Sequence, residues 1–474
     1  MDAVALADLA GPLSEERPPL YAGLARRLRL LVGDGRLAVG VRLPPERDLA
    51  SALHVSRATV TAAYGLLRED GWAVARQGAG TWTRLPAGPE SGGTWLPLPP
   101  DSALIDLAHA APVGAPPQVT AALHAALAEL PRLLPTHGIY PQGLPELRAR
   151  LAERYTARGL PTAPEQILIT GGALQGCALA LSVLAGAGDR VLVEHPTYPH
   201  VADAIVAQGS LLVPVPVDAG APDGVVADLT RVARQTGPRA AYLMPDFQNP
   251  TGLLLEAEQR SRLAAGLQQY GVTAVIDETL VDLGLDRQPP APFAAFAKAD
   301  AVVTAGSASK AFWGGLRIGW LRAEAPLIDV LGAALGRTQM GTPVLEQLAV
   351  CHLLDQGQAV LGPVRERLRT QRAVLLEELA RHLPSWQVRV PEGGLVLWCR
   401  LPSASSSALV SAAGELGLRL AAGSRFGSGH AFEQWIRLPY TQPVDVLRRA
   451  VPLLAAAAHG APGRAARLQP ALLV

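Results

Sequence analysis

Lysine and cysteine are scarce in this chain, and both shortages limit the kinds of reactive or metal-binding site that it can form. Of the 42 basic residues only Lys298 and Lys310 are lysines, so a reaction that needs an amine nucleophile has two candidates. The cysteines Cys177, Cys351 and Cys399 lie far apart and show no Cys-x-x-Cys spacing. This pattern argues against a disulfide scaffold and a thiolate metal site, and it fits a reducing cytoplasm.

Long hydrophobic runs are also lacking. The apolar stretches near residues 178–187 and 451–457 are far shorter than the roughly 20 residues that span a bilayer, and residues 1–10 lack a positively charged signal segment. The formal net charge is +1 and 49% of the residues are hydrophobic, so neither intrinsic disorder nor wholesale coating of nucleic acid is expected. No histidine spacing indicates a metal site. We expect a cytoplasmic protein that binds neither membrane nor metal.

Composition divides the 474 residues into segments. Residues 17–85 contain eleven arginines against five acidic residues, which concentrates positive charge at one end. Residues 86–103 are rich in Pro and Gly, which predicts a linker. Between 104 and 458, β-branched runs alternate with Ala/Leu-rich stretches, which predicts an α/β domain with a mostly parallel sheet. The predicted strands are 166–170, 190–194, 211–215, 240–244, 272–276 and 301–305, and residues 459–474 are predicted to form a flexible tail.

The basic segment has the pattern of a helix-turn-helix. One short helix is predicted within Pro44–Leu53, and Ser56 can cap the next. Apolar residues on that next helix recur at helical spacing and form a buried stripe, namely Val60, Ala63, Tyr64 and Leu67. The opposite face carries Arg57 and Thr61, which suits a DNA major groove, and a predicted hairpin around 77–80 resembles a wing. A small helical bundle that binds another protein has the same spacing, so the residues alone leave both interpretations open.

Residues 19–81 resemble, nearly end to end, the GntR-type winged helix, from PLYAGLARRL to ARQGAGT. The resemblance implies binding of double-stranded DNA. In that family the turn before the second helix, the start of the third helix and the wing contact DNA. On this chain the implied DNA-binding residues, with the exposed face of the third helix, are Arg42, Arg47, Ser56, Arg57, Thr59, Thr61 and Gly78.

A second motif, SASKAFWGGLRIG at residues 307–319, combines an amine with groups that bind phosphate. Lys310 can condense with an aldehyde to a Schiff base, while Ser307, Ser309 and Arg317 can hold phosphate oxygens. That combination indicates pyridoxal phosphate. The alternative for Lys310 is a surface lysine in a polar loop. A nucleotide site is disfavoured, because the chain has neither a Gly-x-x-x-x-Gly-Lys-Ser/Thr run nor a Gly-x-Gly-x-x-Gly run at 171–176.

Other residues near predicted strand ends fit the same cofactor. Asp277 can keep a pyridine nitrogen protonated, or it can merely cap a helix. Asn249 can donate to the cofactor's phenolic oxygen, or it can belong to an ordinary turn. Tyr198 can stack on the ring or fill core. Gly172, Ala173, Leu174 and Gln175 open a helix after a strand, so their backbone N–H groups can bind a phosphate.

From about residue 105 to the mid-450s, these motifs occur in the order found in fold-type I aminotransferases, which the chain resembles. The resemblance implies that Lys310 carries the cofactor and that Arg437 receives a substrate carboxylate, although Arg437 could instead pair with a nearby acid. It also implies that Tyr140 reaches the phosphate site of a neighbouring subunit, so the protein is a homodimer. The chain departs from the pattern at Thr279 and Leu280, where relatives usually carry a tyrosine.

A winged helix joined to an aminotransferase-like domain resembles the MocR/GabR-type transcriptional regulators. The fold class implied is therefore fold type I, with a large domain that has a mostly parallel sheet and a small α/β domain, behind an N-terminal winged helix-turn-helix. The implied function is promoter binding controlled by pyridoxal phosphate or by an amino-compound effector that displaces Lys310. Two alternatives stay open: a working aminotransferase with an accessory DNA-binding domain, and a degenerate dimer that binds DNA but no cofactor.

Overall fold

The computed structural model describes residues 2–13, 19–33, 37, 41–76, 80–83, 102–112, 116–402, 405–427 and 431–460. Most of the predicted linker and tail, and Gly78 of the predicted wing, lie outside these residues. Among the described helices, none is both long enough and apolar enough to cross a membrane.

The amino-terminal part is a winged helix-turn-helix, as predicted. Its elements are α1 (Ala3–Ala10), α2 (Leu20–Gly33), α3 (Glu46–Ala52), α4 (Arg57–Glu69), β1 (Ala73–Arg76) and β2 (Gly80–Thr83). The Ser56 Oγ atom accepts the N–H of Thr59 at 3.1 Å and caps α4. The predicted apolar stripe of α4 is buried, and its Tyr64 hydroxyl donates to the carbonyl of Pro44 at 3.0 Å. β1 and β2 pair as an antiparallel hairpin.

A seven-stranded sheet forms the centre of the large domain. Its strands are β4 (Ile167–Thr170), β5 (Arg190–His195), β6 (Leu211–Pro216), β7 (Ala240–Leu243), β8 (Thr273–Asp277), β9 (Val302–Ser307) and β10 (Gly319–Arg322), in the order β4-β10-β9-β8-β7-β5-β6. All the strands predicted from β-branched runs are present. Only β10, which was not predicted, runs antiparallel to its neighbours. The carboxyl ends of the other strands therefore meet at one edge of the sheet.

Helices cover both faces of this sheet, and further helices belong to a smaller domain. They are α5 (Pro116–Glu129), α6 (Pro145–Ala157), α7 (Ala173–Leu184), α8 (Pro199–Ala207), α9 (Pro222–Thr236), α10 (Ala257–Gln269), α11 (Ala308–Ala311), α12 (Ala325–Leu335), α13 (Val344–Gln356), α14 (Gln358–His382), α15 (Ser406–Glu415) and α16 (Val444–Ala458). Every residue of β4, β7 and β9 is buried, as expected for strands covered on both faces.

The smaller domain contains a five-stranded sheet. Its strands are β3 (Ile105–Leu107), β11 (Gln387–Val388), β12 (Val396–Arg400), β13 (Leu418–Ala422) and β14 (Trp435–Pro439), in the order β11-β12-β14-β13-β3. β3 is an edge strand and pairs in parallel with β13. β3 is thus the first described strand after the predicted linker, and it enters the domain at the edge of this sheet.

Candidate functional site

The carboxyl edge of the large sheet brings most of the predicted cofactor residues together. Gly172 follows β4, Tyr198 follows β5, Asn249 follows β7, Asp277 ends β8 and Lys310 lies on α11 directly after β9. Their charges also interact, because the pKa values of both Lys310 and Tyr198 respond to Asp277, Arg317 and Arg437. Most of the cofactor residues predicted in this chain therefore lie around one site.

Lys310 donates a hydrogen bond from Nζ to the carbonyl of Ala110 at 2.8 Å. Burial, and then the positive charge of Arg437, lower the pKa of this amine to about 8, although Asp277 opposes the shift. At pH 7.5 about a quarter of such amines are neutral, against about one in a thousand at the ordinary pKa. Lys310 is therefore suited to act as a nucleophile, unlike a surface lysine.

Asp277 is buried and accepts two hydrogen bonds. Its Oδ2 atom accepts the hydroxyl of Tyr242 at 2.8 Å, and its Oδ1 atom accepts the N–H of Thr279 at 2.9 Å. Burial raises the pKa of this carboxyl, while these bonds and the charge of Lys310 stabilise the carboxylate. Tyr242 was missed in the sequence; the available signal was a tyrosine in a buried strand next to the strand that ends in Asp277.

The turn between β4 and α7 forms a cradle beside Arg317. Gly172 has φ +113°, and a Cβ atom there would lie 2.7 Å from the Nη2 atom of Arg317. That Nη2 atom donates to the carbonyl of Gly171 at 2.9 Å. The positive φ favours glycine at this position, and a side chain here would displace the guanidinium from its present place. The backbone N–H groups of Ala173, Leu174 and Gln175 belong to the first turn of α7, where helix N–H groups lack intrahelical partners.

The polar side chains around this cradle differ in whether they have an atom without a hydrogen-bond partner that could bind a phosphate. Ser307 Oγ accepts the N–H of Ser309 at 3.1 Å, whereas the buried Ser309 Oγ finds no partner among the described residues. Gln175 is not available through its side chain, because its Oε1 atom accepts the N–H of Gly171 at 2.6 Å and its Nε2 atom donates to Gln339 at 2.6 Å. Gln175 and Gln339 therefore shape the turn.

Arg437 lies on β14 and is 3% exposed. Its Nη2 atom donates to the carbonyl of Ala108, and its Nη1 atom lies 3.4 Å from Asn249 Oδ1. The guanidinium carbon lies 4.7 Å from the centre of the Phe426 ring, and the Nε atom has no partner among the described residues. No carboxylate of the described residues lies within ion-pair distance of Arg437, although the negative charge of Asp106 acts on it from farther away. Burial lowers the pKa of Arg437 to about 10.

The two predicted tyrosines are placed differently. Tyr198 is half-buried at the start of α8, and its ring packs edge-on against His200 with 5.3 Å between ring centres. Burial raises the pKa of Tyr198 to about 12. The hydroxyl of Tyr140 lies 3.5 Å from the Thr136 Oγ1 atom, and the Tyr140 backbone contacts Gly341. Among the described residues, no hydrogen bond joins the Tyr140 side chain to another predicted cofactor residue.

The winged helix exposes most of its predicted DNA-binding residues. Exposed or half-buried at its surface are Arg42, Arg47, Ser56, Arg57, Thr59 and Thr61. The side chain of Arg57 is 72% exposed and lies 3.6 Å from Glu46, which also accepts the hydroxyl of Thr61 at 2.7 Å. Glu46 therefore contacts both side chains on the exposed face of α4, which the sequence pattern does not reveal.

The residues present fit pyridoxal phosphate. The unpartnered Ser309 hydroxyl and the Gly172 cradle beside Arg317 suit a phosphate, and the buried carboxylate of Asp277 suits a protonated ring nitrogen. A neutral fraction of the Lys310 amine suits an aldehyde. The buried guanidinium of Arg437, which donates to a carbonyl and an amide oxygen, suits the carboxylate of an amino acid.

Comparisons with known proteins match both parts of the chain. The family model of class I and II aminotransferases matches residues 112–452, and that of bacterial regulatory proteins of the gntR family matches residues 20–82. The pyridoxine biosynthesis transcriptional regulator PdxR of Corynebacterium glutamicum is 30% identical over 437 residues, which cover 90% of this chain and 92% of PdxR. The rhizopine catabolism regulatory protein MocR of Rhizobium meliloti, whose name is given as probable, is 26% identical, with 78% of each chain covered.

Among solved structures, the α-aminoadipate aminotransferase LysN of Thermus thermophilus, complexed with N-(5'-phosphopyridoxyl)-L-leucine, superposes with a TM-score of 0.69. It is 29% identical, and the match covers 76% of this chain and 92% of LysN. The predicted fold type and cofactor class are confirmed. The chain belongs to the class I and II aminotransferase family, whose cofactor is pyridoxal phosphate, and its gntR-family domain makes it a regulator-type member of the MocR/PdxR kind.

Proposed function

We propose that this protein is a transcriptional regulator that binds promoter DNA through its winged helix and holds pyridoxal phosphate on Lys310. The observation that carries the proposal is the pair of buried cationic groups, Lys310 and Arg437, that no acid neutralises by direct contact among the described residues. Both lie in a chain that also presents an arginine-bearing recognition helix. A protein that binds chromosomal promoters acts in the cytoplasm.

The chain's own residues divide the work of holding the cofactor. The phosphate would be held by the first N–H groups of α7, by Ser307 and Ser309, and by Arg317, with Tyr140 supplied by a second subunit. Asp277 would bind the ring nitrogen, while Tyr198 and Asn249 would contact the ring and its phenolic oxygen. Bound pyridoxal phosphate supplies an aldehyde that captures amines reversibly. Arg437 would select amines that carry a carboxylate.

A homodimer is supported by exposed large apolar side chains. Leu134, Ile139 and Met340 are 69%, 38% and 68% exposed, and a Cβ atom added to Gly341 would lie 3.1 Å from the carbonyl oxygen of Tyr140, so the chain neighbours Met340 and Ile139 lie in the same region. Apolar groups exposed in this way mark protein interfaces. In a dimer, an amino compound that binds two arrangements of the subunits with different affinity would change the spacing of the two winged helices, and hence the affinity for paired DNA half-sites.

Borohydride reduction tests the cofactor assignment. The full-length protein is incubated with pyridoxal phosphate, reduced, digested and mapped by mass spectrometry. The pyridoxyl label is expected on Lys310 and not on the exposed Lys298, which serves as an internal control. A label confined to Lys298, or no label, would refute the assignment.

DNA binding is tested with the DNA that flanks the gene. Fluorescence anisotropy should show binding to a specific site, and the affinity should change when pyridoxal phosphate and an amino acid are added. An affinity for DNA that is unchanged by both additions would refute control by the cofactor.

A working aminotransferase is the second candidate, and the arrangement of Lys310 with Asp277 and Arg437 favours it. The chain lacks the tyrosine that relatives usually carry near Thr279, which argues for little turnover. Overnight incubation of the purified protein with amino donors and 2-oxo acids separates the two functions. Sustained conversion supports the enzyme, whereas a spectral change without turnover supports the regulator.

A further inference from the structure

The segment Asp106–Ala110, which we call the strap, lies against both cationic groups of the candidate site. The carbonyl of Ala108 accepts a hydrogen bond from Arg437 Nη2, and the carbonyl of Ala110 accepts one from Lys310 Nζ at 2.8 Å. Two neighbouring backbone carbonyls thus contact the side chains proposed to bind the effector carboxylate and the cofactor. They are uncharged acceptors for two buried cations.

Asp106 gives the strap its shape. Its Oδ1 atom accepts the N–H of Ala108 at 2.8 Å and that of His109 at 3.2 Å, and its Oδ2 atom lies 2.8 Å from His109 Nδ1. A side-chain oxygen that accepts the N–H two residues ahead forms an Asx-turn. Burial raises the pKa of Asp106, but the bonds from His109 and Ala108 outweigh it, so the net direction is downward and the carboxylate is ionised. The turn directs the carbonyls towards Arg437 and Lys310.

A carboxylate competes with the strap for Arg437. Two-pronged binding of a carboxylate uses either the two terminal nitrogens of the guanidinium or one of them together with Nε. In this structure Nη2 donates to Ala108 and Nη1 faces Asn249, so only Nε has no partner among the described residues. A hydrogen bond between two charged groups is roughly twice as strong as one to a neutral carbonyl, so a carboxylate can displace Ala108.

We propose that Asp106 is a positioning residue that holds the strap on Arg437, and that an effector carboxylate and the strap occupy this guanidinium alternately. The inference rests on the proposed function, since it needs a carboxylate ligand at Arg437. The strap continues directly from β3, the edge strand that follows the segment joining the two domains. Release of the strap thereby couples occupancy of Arg437 to the end of β3.

Two probes separate the contribution of the ligand carboxylate from that of the ring and the phosphate. Pyridoxamine 5'-phosphate carries the ring and the phosphate, whereas N-(5'-phosphopyridoxyl)-L-leucine adds a carboxylate, and neither can link covalently to Lys310. Their dissociation constants are measured by fluorescence titration of the full-length protein and of the Asp106→Ala variant. Asp106→Ala also removes a negative charge that acts on Arg437, and Asp106→Asn removes the same charge but keeps the acceptor for the turn. We therefore expect phosphopyridoxyl-leucine to bind at least threefold more tightly to Asp106→Ala than to Asp106→Asn, with pyridoxamine phosphate unchanged within twofold.

The matched control is Asp218→Ala. Asp218 Oδ1 accepts the N–H of Gly220 at 2.8 Å, which is the same turn geometry after strand β6. The ratio of the two dissociation constants should stay at the parental value in this variant. Asp106→Asn, which keeps an oxygen acceptor for Ala108, should give a smaller change in the same direction.

Hydrogen exchange in the parent gives a second readout. The amides of residues 107–111 should exchange faster with phosphopyridoxyl-leucine bound than with pyridoxamine phosphate bound. Weaker binding of both probes by Asp106→Ala, or an unchanged ratio of the two dissociation constants, would refute the proposed role of the strap. The proposed function would remain intact. Failure of the parent to bind either probe would overturn the proposed function and the strap together.

Discussion

Replacing Lys310 by methionine should stabilise the ligand-free protein at neutral pH. The pKa of Lys310 is about 8 against an ordinary value of 10.5, so folding must keep an ammonium in a site that disfavours it. At about 1.4 kcal/mol for each pKa unit, this costs about 3 kcal/mol. Methionine removes the charge and keeps a chain of similar length, but it loses the hydrogen bond to Ala110, which is worth about 1 kcal/mol. We expect a net gain of about 2 kcal/mol.

The sign of the pH dependence follows from linkage. Below the folded pKa of about 8, both the folded and the unfolded protein hold the Lys310 proton, so the full cost is present. Between about 8 and 10.5 the folded protein has lost that proton while the unfolded chain retains it, so the parent gains stability relative to Lys310→Met. The advantage of the variant therefore disappears as the pH rises through this window.

Urea unfolding followed by circular dichroism, at pH 7 and at pH 10, measures the difference. Lys298→Met is the matched control, because Lys298 is the chain's other lysine and is exposed, and its effect should be small at both pH values. A Lys310→Met protein that is less stable than the parent at pH 7, or whose advantage is equal at pH 10, would contradict the reasoning.

The remaining predictions concern the carboxylate, the ring nitrogen and the DNA. Arg437→Leu should weaken binding of N-(5'-phosphopyridoxyl)-L-leucine about tenfold or more, since a charge-assisted pair is lost, and should leave pyridoxamine phosphate within twofold by fluorescence titration. Tyr242→Phe removes the 2.8 Å bond to Asp277, so the affinity for pyridoxal phosphate should fall about fivefold, with the melting temperature as the control for folding. Arg57→Ala should weaken promoter binding about tenfold in anisotropy titrations, while Arg231→Ala, on the outer helix α9, should not; equal effects would argue against recognition by α4.

The local parts of the fold could be predicted because they depend on residues near in sequence. The stripe from Val60 to Leu67 has the period of a helix, and the strand that ends in Asp277 is a β-branched run between polar ends. β10 escaped prediction because Gly319–Arg322 is short, begins with glycine and has an arginine at its end. Its pairing with both β4 and β9 depends on residues far away in the chain.

In the candidate site, too, features set by neighbouring residues could be predicted, whereas contacts between distant residues could not. The motif around Lys310 could be recognised from residue types alone, since an amine, hydroxyls and a guanidinium lie within one short stretch. The contacts of Lys310 with Ala110 and of Arg437 with Ala108 join residues 200 and 329 positions apart. They also involve backbone carbonyls, which every residue type carries, so no sequence pattern can reveal them. Tyr242 was missed for a related reason, because a tyrosine in a buried strand is more often core than partner to an acid.

The buried arginines of this chain differ in whether an acid lies in direct contact with the guanidinium. Arg260 and Asp246 are fully buried and form an ion pair, and Arg158 pairs with the buried Glu278. Arg437 is buried to a similar degree, but its partners among the described residues are a carbonyl, an amide oxygen and an aromatic ring. The buried Arg365 likewise donates to a carbonyl and an amide oxygen. A buried charge without a counter-charge destabilises the folded state, so the ligand-free site carries a cost that an anionic ligand removes. A ligand at one hundred times its dissociation constant adds about 2.7 kcal/mol of stability by mass action, which is comparable to the cost of keeping Lys310 charged in the ligand-free protein. The same unpaired charges that lower the stability of the free protein thus give it the free energy to respond to a ligand.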